Sequence, residues 1–205
     1  IQSMNPEKMI PYLQELEERS EVFETMFVLN TDGIVIAHSI PDNIGADYTD
    51  RSYYPIALNG ESTYSEVLIS KATGHRIVVG ATPIKDDNGN IIGIMCGSAN
   101  FEMLADTLLK YDNENASNLV LVDNLGKIQL AKNEKLIGVH IDEANLNKDL
   151  LAGLKKSLKS QGISSYQIDG ENHLLAYSPI EMAGFGLSLN TLEKEGIIER
   201  RVYKK

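Results

Sequence analysis

An internal repeat constrains the fold of this chain more than any other feature of the sequence. The segments 28–37 and 120–131 each have the pattern of a strand, a Gly-containing turn and a second strand, and they lead to Gly45 and Gly138 respectively. Two further pairs of segments correspond in the same order: 80–84 with 175–180, and 92–94 with 185–187. A single match carries little weight because hairpins resemble one another in composition, but the shared order is harder to dismiss. The repeat therefore predicts two similar units in tandem.

Length, composition and charge limit the classes of fold and partner. The 205 residues have room for one large domain or two small ones, and 42% hydrophobic residues are enough for a packed core. A net charge of −10, from 19 basic and 29 acidic side chains, argues against nucleic-acid and anionic-membrane partners. No apolar run approaches the ~20 residues of a membrane span, and no secretory signal pattern opens the chain. The single Cys96 excludes an internal disulfide and is expected to be a small buried hydrophobe.

The first 26 residues are predicted to form a long amphipathic helix. Apolar side chains recur in and just after this segment, mostly at steps of three, four or seven residues: Met9, Leu13, Leu16, Phe23 and Phe27. Charged side chains occupy the other faces. Pro11 is expected in the first turn of this helix or at a kink.

The rest of the first unit, residues 27–111, is predicted to contain a hairpin, a short helix, a three-stranded antiparallel meander and a further helix. The short helix covers 50–59, with Thr49 or Asp50 as N-cap and Gly60 as its stop. Segments rich in Val and Ile predict the strands of the meander: 65–70, 75–84 and 91–99. The acidic segment 86–90 is interpreted as a hairpin turn because it lacks the distal Glu of a calcium loop. The further helix covers 101–111.

The polar segment 112–117 marks the predicted boundary between the units, and the second unit covers 112–192. Its predicted elements follow those of the first unit: strands at 119–123 and 127–132, a helix at 147–159, and meander strands at 163–168, 173–180 and 185–191. The charged segment 193–205 is predicted to be a C-terminal helix. Its basic end suits either a membrane surface or the negative end of a solvated helix dipole.

One arginine and several aromatic residues form the candidate ligand site. Arg51, Tyr53 and Tyr54 lie on or beside the short helix. A guanidinium presents paired N–H donors to a carboxylate, and flat tyrosine rings form walls around the bound group. Alternation along the facing strand sends Tyr64 and Glu66 to one side of the sheet, where they would share the cavity. The cluster is typical of a binding site rather than a catalytic one.

Each member of the cluster also has a purely structural interpretation. Arg51 has two neighbouring carboxylates, Asp47 and Asp50, with which it would form a surface ion pair. The tyrosines next to it would then be core aromatics with their hydroxyl groups at the rim. Strand glutamates such as Glu66 most often face water.

The order of these segments resembles the double Cache domains, which are tandem PAS-like sensor domains of bacterial chemoreceptors and sensor histidine kinases. The matching residues extend over nearly the whole chain: 32–35, 50–54, Gly60, 73–74, 82–84, Gly89 and 92–94. The resemblance implies an α+β fold with a long N-terminal helix followed by two tandem PAS-like modules, each with an antiparallel sheet. It also implies an extracytoplasmic domain at the cell membrane. The helices at the two ends would connect to membrane spans, and the first, membrane-distal module would hold the ligand.

The pocket positions resemble those of the amino-acid sensors of the family, which carry Arg-x-aromatic-Tyr followed by a strand Tyr and an acidic residue two positions later. This chain departs from that pattern at Tyr53, where Trp is usual, and at Ser98, where an Asp is usual. Without that Asp, the α-ammonium group of an amino acid loses a principal partner. The sequence therefore favours a carboxylate-containing small molecule, and three alternatives stay open: an organic acid, an amino acid held chiefly by Glu66, and an uncharged metabolite.

Catalysis and cofactor binding have little support in the sequence. The four histidines, His38, His75, His140 and His173, are scattered without metal-ligand spacing. No Gly-x-Ser-x-Gly motif, phosphate loop or dinucleotide fingerprint is present. We therefore expect no metal, no cofactor and no enzyme activity in this domain. A PAS-type module holding haem or flavin is disfavoured because no His or Cys is clearly placed as a ligand.

The resemblance favours a chemoreceptor for the full-length protein, with a sensor kinase or other signalling enzyme as the second alternative. A catalytic domain acting on a small metabolite is the remaining class to exclude. The second module has no Arg-aromatic cluster and is interpreted as a transmitting spacer. The oligomeric state is left open, with a homodimer among the alternatives.

Overall fold

A computed structural model of the chain describes residues 3–110, 119–168, 170–180 and 185–192. The chain divides into two compact units, Ile1–Thr107 and Leu108–Lys205. Each unit contains one antiparallel sheet, and the fold is therefore α+β, as predicted. The polar segment 112–117 and the predicted C-terminal helix at 193–205 lie outside the described residues.

The first unit is a sheet with helices on both of its faces. Its elements are α1 (Pro6–Glu18), β1 (Phe23–Leu29), β2 (Val35–His38), α2 (Tyr53–Leu58), β3 (Thr63–Tyr64), β4 (Leu68–Ile69), β5 (Arg76–Lys85), β6 (Ile91–Asn100) and α3 (Phe101–Lys110). The strand order is β2-β1-β6-β5-β3, and β4 also pairs with β5. The predicted strands at 75–84 and 91–99 are confirmed to within a residue, as is the predicted helix after them over its described residues.

The second unit repeats the strand arrangement of the first. Its elements are β7 (Leu119–Val122), β8 (Ile128–Ala131), α4 (Lys148–Ser157), β9 (Gly162–Ile168), β10 (Glu171–Ile180) and β11 (Phe185–Leu192). The strand order, β8-β7-β11-β10-β9, has the same connectivity as the first sheet. The predicted strands and helix of this unit are confirmed to within a few residues.

The first hairpins of the two units match in backbone detail. Each has a register shift near its turn, between Val28 and Leu29 and between Leu121 and Val122. Each turn contains a glycine at positive φ, +79° at Gly33 and +81° at Gly126. Each hairpin is followed by an isolated bridge: Ile34 with Asp47, and Lys127 with His140. The repeat predicted from the sequence is therefore a structural repeat.

The N-terminal helix is shorter than predicted. It ends at Glu18, and the Ser20 hydroxyl accepts hydrogen bonds from the backbone N–H groups of Val22 and Phe23. Phe23 and Phe27, which the helical pattern had included, lie on β1 instead. The reason is that β1 is a central strand that pairs with β2 and β6, so its backbone is hydrogen-bonded on both sides.

The predicted strand at 65–70 is also wrong in part, because the chain leaves the sheet between β3 and β4. The Ser65 hydroxyl accepts a hydrogen bond from the backbone N–H of Val79 (2.9 Å), which takes a donor that the ladder would otherwise use. Pairing resumes at Leu68 opposite Ile77. The helix predicted from residue 50 begins at Tyr53, and Gly60 follows its end at φ +97°.

Two apolar layers cover the first sheet. Met9 and Leu13 of α1 pack with Val28, Ala37 and Ile84 on one face. Tyr53 and Ala57 of α2 pack on the other face with core residues of the strands: Phe27, Leu29, Val35, Ile77, Val79, Ala81, Ile94 and Cys96. Cys96 is fully buried, as expected, and its burial raises the pKa of the thiol. Along the described ranges, no helix is long and apolar enough to cross a membrane.

We predict that Gly33→Ala destabilises the protein more than Gly89→Ala. Both glycines have positive φ, which costs a non-glycine residue about 1–2 kcal/mol. A Cβ at Gly33 would also approach Thr49 Cγ2 to 2.7 Å and the Tyr54 ring to 3.1 Å, whereas nothing lies within 4 Å of one at Gly89. Urea unfolding should show an excess loss of about 1–3 kcal/mol for Gly33→Ala. Equal losses would contradict the close packing of α2 against this turn.

Candidate ligand-binding site

A small polar cavity lies in the first unit between one face of the sheet and the segments that cover it. The sheet contributes seven of the lining residues: Thr25, Phe27, His38, Leu68, Ile77, Val79 and Ser98. The cover contributes the others: Tyr48, Arg51, Tyr53, Ser70, Lys71 and Ala72. The cavity has a volume of about 10 Å³, which is room for roughly one water molecule.

Strand register explains why residues distant in sequence lie together on the sheet face that lines this cavity. Phe27 lies opposite His38 in the β1–β2 pair, and Thr25 lies opposite Ser98 in the β1–β6 pair. Directly opposite residues point to the same face of a sheet. The Thr25 and Ser98 hydroxyl groups are buried and hydrogen-bonded to each other. The Phe27 and His38 rings stack with centroids 5.3 Å apart.

Two cations lie over one aromatic ring in the cover. Tyr48 is buried, and the Arg51 guanidinium and the Lys71 ammonium lie 5.6 Å and 5.0 Å from its ring centroid. The Arg51 side chain is only 14% exposed and donates from Nη2 to the backbone carbonyl of Ile69 (3.2 Å). The positive charges therefore concentrate at the cavity, where partial burial strengthens their electrostatic interactions.

Asp50 is the acidic residue that forms ion pairs with both cations. Its Oδ1 accepts a hydrogen bond from Lys71 Nζ (2.8 Å) and lies 3.9 Å from Arg51 Nε. The hydrogen bond from Lys71 lowers the pKa of Asp50, against the opposing effect of desolvation. Asp50 is 63% exposed and is not among the lining residues. It therefore balances the cations from the solvent side and leaves the cavity itself without an acidic group.

His38 supplies a buried donor that lacks a partner. Its side chain is fully buried, and its Nδ1 accepts a hydrogen bond from the backbone N–H of Ile40 (2.8 Å). Burial lowers the pKa of His38 to about 4, so the imidazole is neutral and its proton lies on Nε2. Within the described part of the chain this Nε2–H has no hydrogen-bond partner. An unpaired buried donor costs about 1–3 kcal/mol, which a ligand acceptor would recover.

The residues predicted from the sequence fall into two groups. Arg51, Tyr53 and Ser98 line the cavity together. Tyr54, Tyr64 and Glu66 do not line it. Tyr54 donates its hydroxyl to the backbone carbonyl of Thr31 (2.9 Å), and Tyr64 is 47% exposed beside Gly80. The Glu66 carboxylate accepts a hydrogen bond from the Ser52 hydroxyl. The binding role of each of the six residues stays a prediction.

Five polar residues of the cavity were not predicted from the sequence: Thr25, His38, Tyr48, Ser70 and Lys71. Tyr48 precedes Arg51 by one short turn, in which the Arg51 N–H donates to the Tyr48 carbonyl (3.1 Å), so its proximity was a usable signal. His38 ends β2, and Lys71 lies in the turn between β4 and β5. Only the strand order brings these two positions beside Arg51.

The first unit contains other titratable groups, but they do not form a metal centre. His75 Nδ1 lies 3.0 Å from Glu24 Oε2, and this carboxylate also accepts from Thr73 and Asn100. No group of three or more His, Cys, Asp or Glu side chains in the ranges given above is arranged to hold a metal ion.

Several solved structures with this fold are ligand-binding or sensor domains. An extracellular ligand-binding receptor from Desulfohalobium retbaense has a TM-score of 0.70 at 13% identity, over 89% of this chain and 32% of that one. The sensor domain of the V. cholerae histidine kinase DctB has a TM-score of 0.66 at 13% identity, over 92% and 79%. The ligand-binding domain of the Pseudomonas fluorescens chemoreceptor CtaA, in complex with L-alanine, has a TM-score of 0.67 at 21% identity, over 94% and 82%. CtaA has also been solved with L-isoleucine.

The two tandem sheets thus define the fold class of the extracellular sensor domains of chemoreceptors and histidine kinases. The family model dCache_1, a Cache domain, matches residues 2–197, and the chain belongs to this family. No curated protein matches the sequence significantly.

We predict that His38 makes the protein less stable as the pH falls from about 6.5 to about 4. The unfolded chain takes up a proton at the ordinary histidine pKa of 6.5, whereas folded His38 takes one up only near 4. The unfolded state therefore binds more protons in this window, and the free energy of unfolding decreases as the pH falls through it.

Urea unfolding at several pH values checks this prediction with two variants. His38→Gln should flatten the pH dependence in this window, whereas His140→Gln, which removes a partly exposed histidine of the second unit, should leave most of it. The same slope in His38→Gln and in the original protein would contradict the assignment.

Proposed function

We propose that the chain is the extracytoplasmic small-molecule-sensing domain of a transmembrane signalling receptor, and that its first unit binds a small carboxylate. The observation that carries the ligand class is that His38, whose buried Nε2–H has no partner among the described residues, lines the same cavity as the Arg51 and Lys71 cations. All three groups are hydrogen-bond donors, and a carboxylate offers acceptors for several of them at once. Membership of the Cache family supports the sensing role.

The remaining walls suggest a small and largely apolar body for the ligand. Phe27, Leu68, Ile77 and Val79 line the cavity, while the lining set contains no Asp or Glu. An α-ammonium group would therefore find no anionic partner inside. A carboxylic acid without an amino group fits this lining best.

Binding requires the cavity to open. Its volume of about 10 Å³ is too small for a metabolite, so the cover formed by α2 and the 70–72 segment must move away from the sheet. We propose that the ligand carboxylate replaces Asp50 as the partner of Arg51 and Lys71 during this step. A ligand shifts a conformational equilibrium only through such a difference in contacts between two states.

The signal would leave this unit through β6. Ser98 lies on β6 at the cavity, and β6 is followed directly by α3, whose first turn is capped by the Asn100 side chain (2.9 Å to the Glu102 N–H). Ser98 thus lies three residues before the start of α3, and α3 ends at Lys110, three residues after the last residue of the first unit. We propose a chemotaxis receptor for the full-length protein, with a sensor kinase as the second candidate, since the fold occurs in both classes.

An amino acid is the second candidate ligand, because CtaA has been solved with L-alanine and with L-isoleucine. Calorimetry with matched probes separates the two candidates: propanoate against L-alanine, and 3-methylpentanoate against L-isoleucine. The proposal predicts that the acid without the amino group binds more tightly in each pair. Tighter binding of both amino acids would contradict the proposal and would identify an amino acid as the ligand. Turnover of a bound probe, followed by NMR of the mixture, would contradict the sensing function itself.

We predict that Arg51→Ala weakens binding of the best carboxylate probe by about 10-fold or more, because a hydrogen bond to a charged group contributes about 1.5–3 kcal/mol. Calorimetry measures this change. Arg19→Ala is the matched control, since Arg19 is an exposed arginine of α1 that pairs with Glu15. Unchanged affinity in Arg51→Ala would remove Arg51 from the site.

We predict the opposite effect for Asp50→Asn. Removal of this carboxylate leaves Arg51 and Lys71 without their acidic partner, so affinity for a carboxylate probe should rise about threefold to tenfold. Asp42→Asn, which removes an exposed charge in the 3₁₀ turn at Pro41–Asn43, should have little effect. Weaker binding in Asp50→Asn would show that Asp50 assists the ligand instead of competing with it.

A further inference from the structure

A second cavity lies in the second unit beneath α4. Its volume is about 160 Å³. Seven of its lining residues are aliphatic: Val120, Ile128, Ala131, Leu136, Leu146, Leu150 and Leu154. The other two are Lys132 and Asn133, both exposed and both directly after β8. The cavity is therefore apolar inside and polar at its rim.

This cavity occupies the same position in its unit as the polar cavity does in the first. Phe27 and His38 face each other across the β1–β2 hairpin and line the first cavity. Val120 and Ala131 face each other across the matching β7–β8 hairpin and line the second. Smaller side chains at these two positions leave space on the sheet, and they remove the imidazole donor. Both units thus have a cavity at this position, but the lining is polar in part in the first unit and mainly aliphatic in the second.

Size and lining define what this cavity can take up. A cavity of about 150 Å³ lined by aliphatic side chains stays free of water and binds molecules of about the size of benzene. Lys132 is the single charged group among the lining residues. The Asn133 Oδ1 accepts the backbone N–H of Lys135 (3.2 Å), which leaves the side-chain amide nitrogen as its donor. The rim therefore offers donors to an anion, and the interior accepts an apolar chain of about six non-hydrogen atoms.

We propose that the second unit binds a short aliphatic carboxylic acid, with its alkyl chain in the cavity and its carboxylate at Lys132 and Asn133. This site rests on the lining of the second cavity alone and is independent of the site in the first unit. The receptor would then sense two ligands, a small carboxylate in the first unit and a more apolar one in the second.

Hexanoate and its neutral analogue 1-hexanol test this proposal, with binding followed by amide chemical shifts of the whole chain. Hexanoate should give saturable shifts at residues of β7, β8 and α4. Lys132→Met should weaken hexanoate about fivefold and leave 1-hexanol unchanged, because one exposed charge contributes about 1 kcal/mol. Lys159→Met, which removes a lysine that is not part of the lining, is the matched control. An equal loss of affinity for hexanoate and 1-hexanol in Lys132→Met would overturn the assignment of the carboxylate to Lys132.

Filling the cavity tests the position of the alkyl chain. Ala131→Leu should abolish binding of both probes while thermal unfolding shows that the protein remains folded, and Leu150→Phe is the second filling variant if Ala131→Leu does not fold. Saturable shifts that persist in a folded filling variant would overturn the proposal, as would their absence in the original protein. Arg51→Ala should leave these shifts intact. Failure of the site proposed in the first unit can therefore be distinguished from failure of the site proposed in the second.

Discussion

The pairing of β1 with β6 is the interaction on which the rest of the first unit depends. It joins residues about 70 positions apart, Thr25 with Ser98 and Phe27 with Cys96, and makes β1 a central strand. Because side chains of opposed residues share a face, this register gives the sheet one face for α1 and another for the polar cavity. The equivalent pairing of β7 with β11 gives the second unit its own covered face. Closing such long loops is entropically costly, and the buried cores on the sheets offset that cost.

Different interactions dominate the free energy of ligand binding that we expect for the two cavities. In the first, a desolvated imidazole keeps its proton on Nε2 because the Ile40 N–H occupies Nδ1. Arg51 and Lys71 line the same cavity, and their acidic partner Asp50 lies on the solvent side. Such a site is electrostatically unsatisfied and favours an anion or an acceptor. In the second, the aliphatic lining leaves hydrophobic transfer as the main favourable term, with one lysine at the rim.

Sequence patterns predicted the fold better than the site, and particular residues show why. Glycines at the first hairpins and runs of Val and Ile marked both sheets, because these signals are local. The N-terminal helix was extended too far because Phe23 and Phe27 satisfy a helical period as well as a strand alternation, and only pairing with β6 decides between them. Arg51 could be recognised from its neighbours in sequence. His38 and Lys71 could not, because their place at the cavity depends on strand order. Glu66 and Tyr64 were assigned a common face by an alternation that the Ser65 hydrogen bond interrupts.

We propose that the neutral imidazole of His38 donates a hydrogen bond from Nε2 to a carboxylate bound in the first unit. The most direct measurement is ¹⁵N NMR of the His38 side chain near neutral pH, with and without a carboxylate probe at saturation. We expect an Nε2-protonated neutral ring in both states and a marked shift of the Nε2 proton when the probe binds. An Nδ1-protonated ring, or an Nε2 proton signal that does not move at saturation, would contradict it.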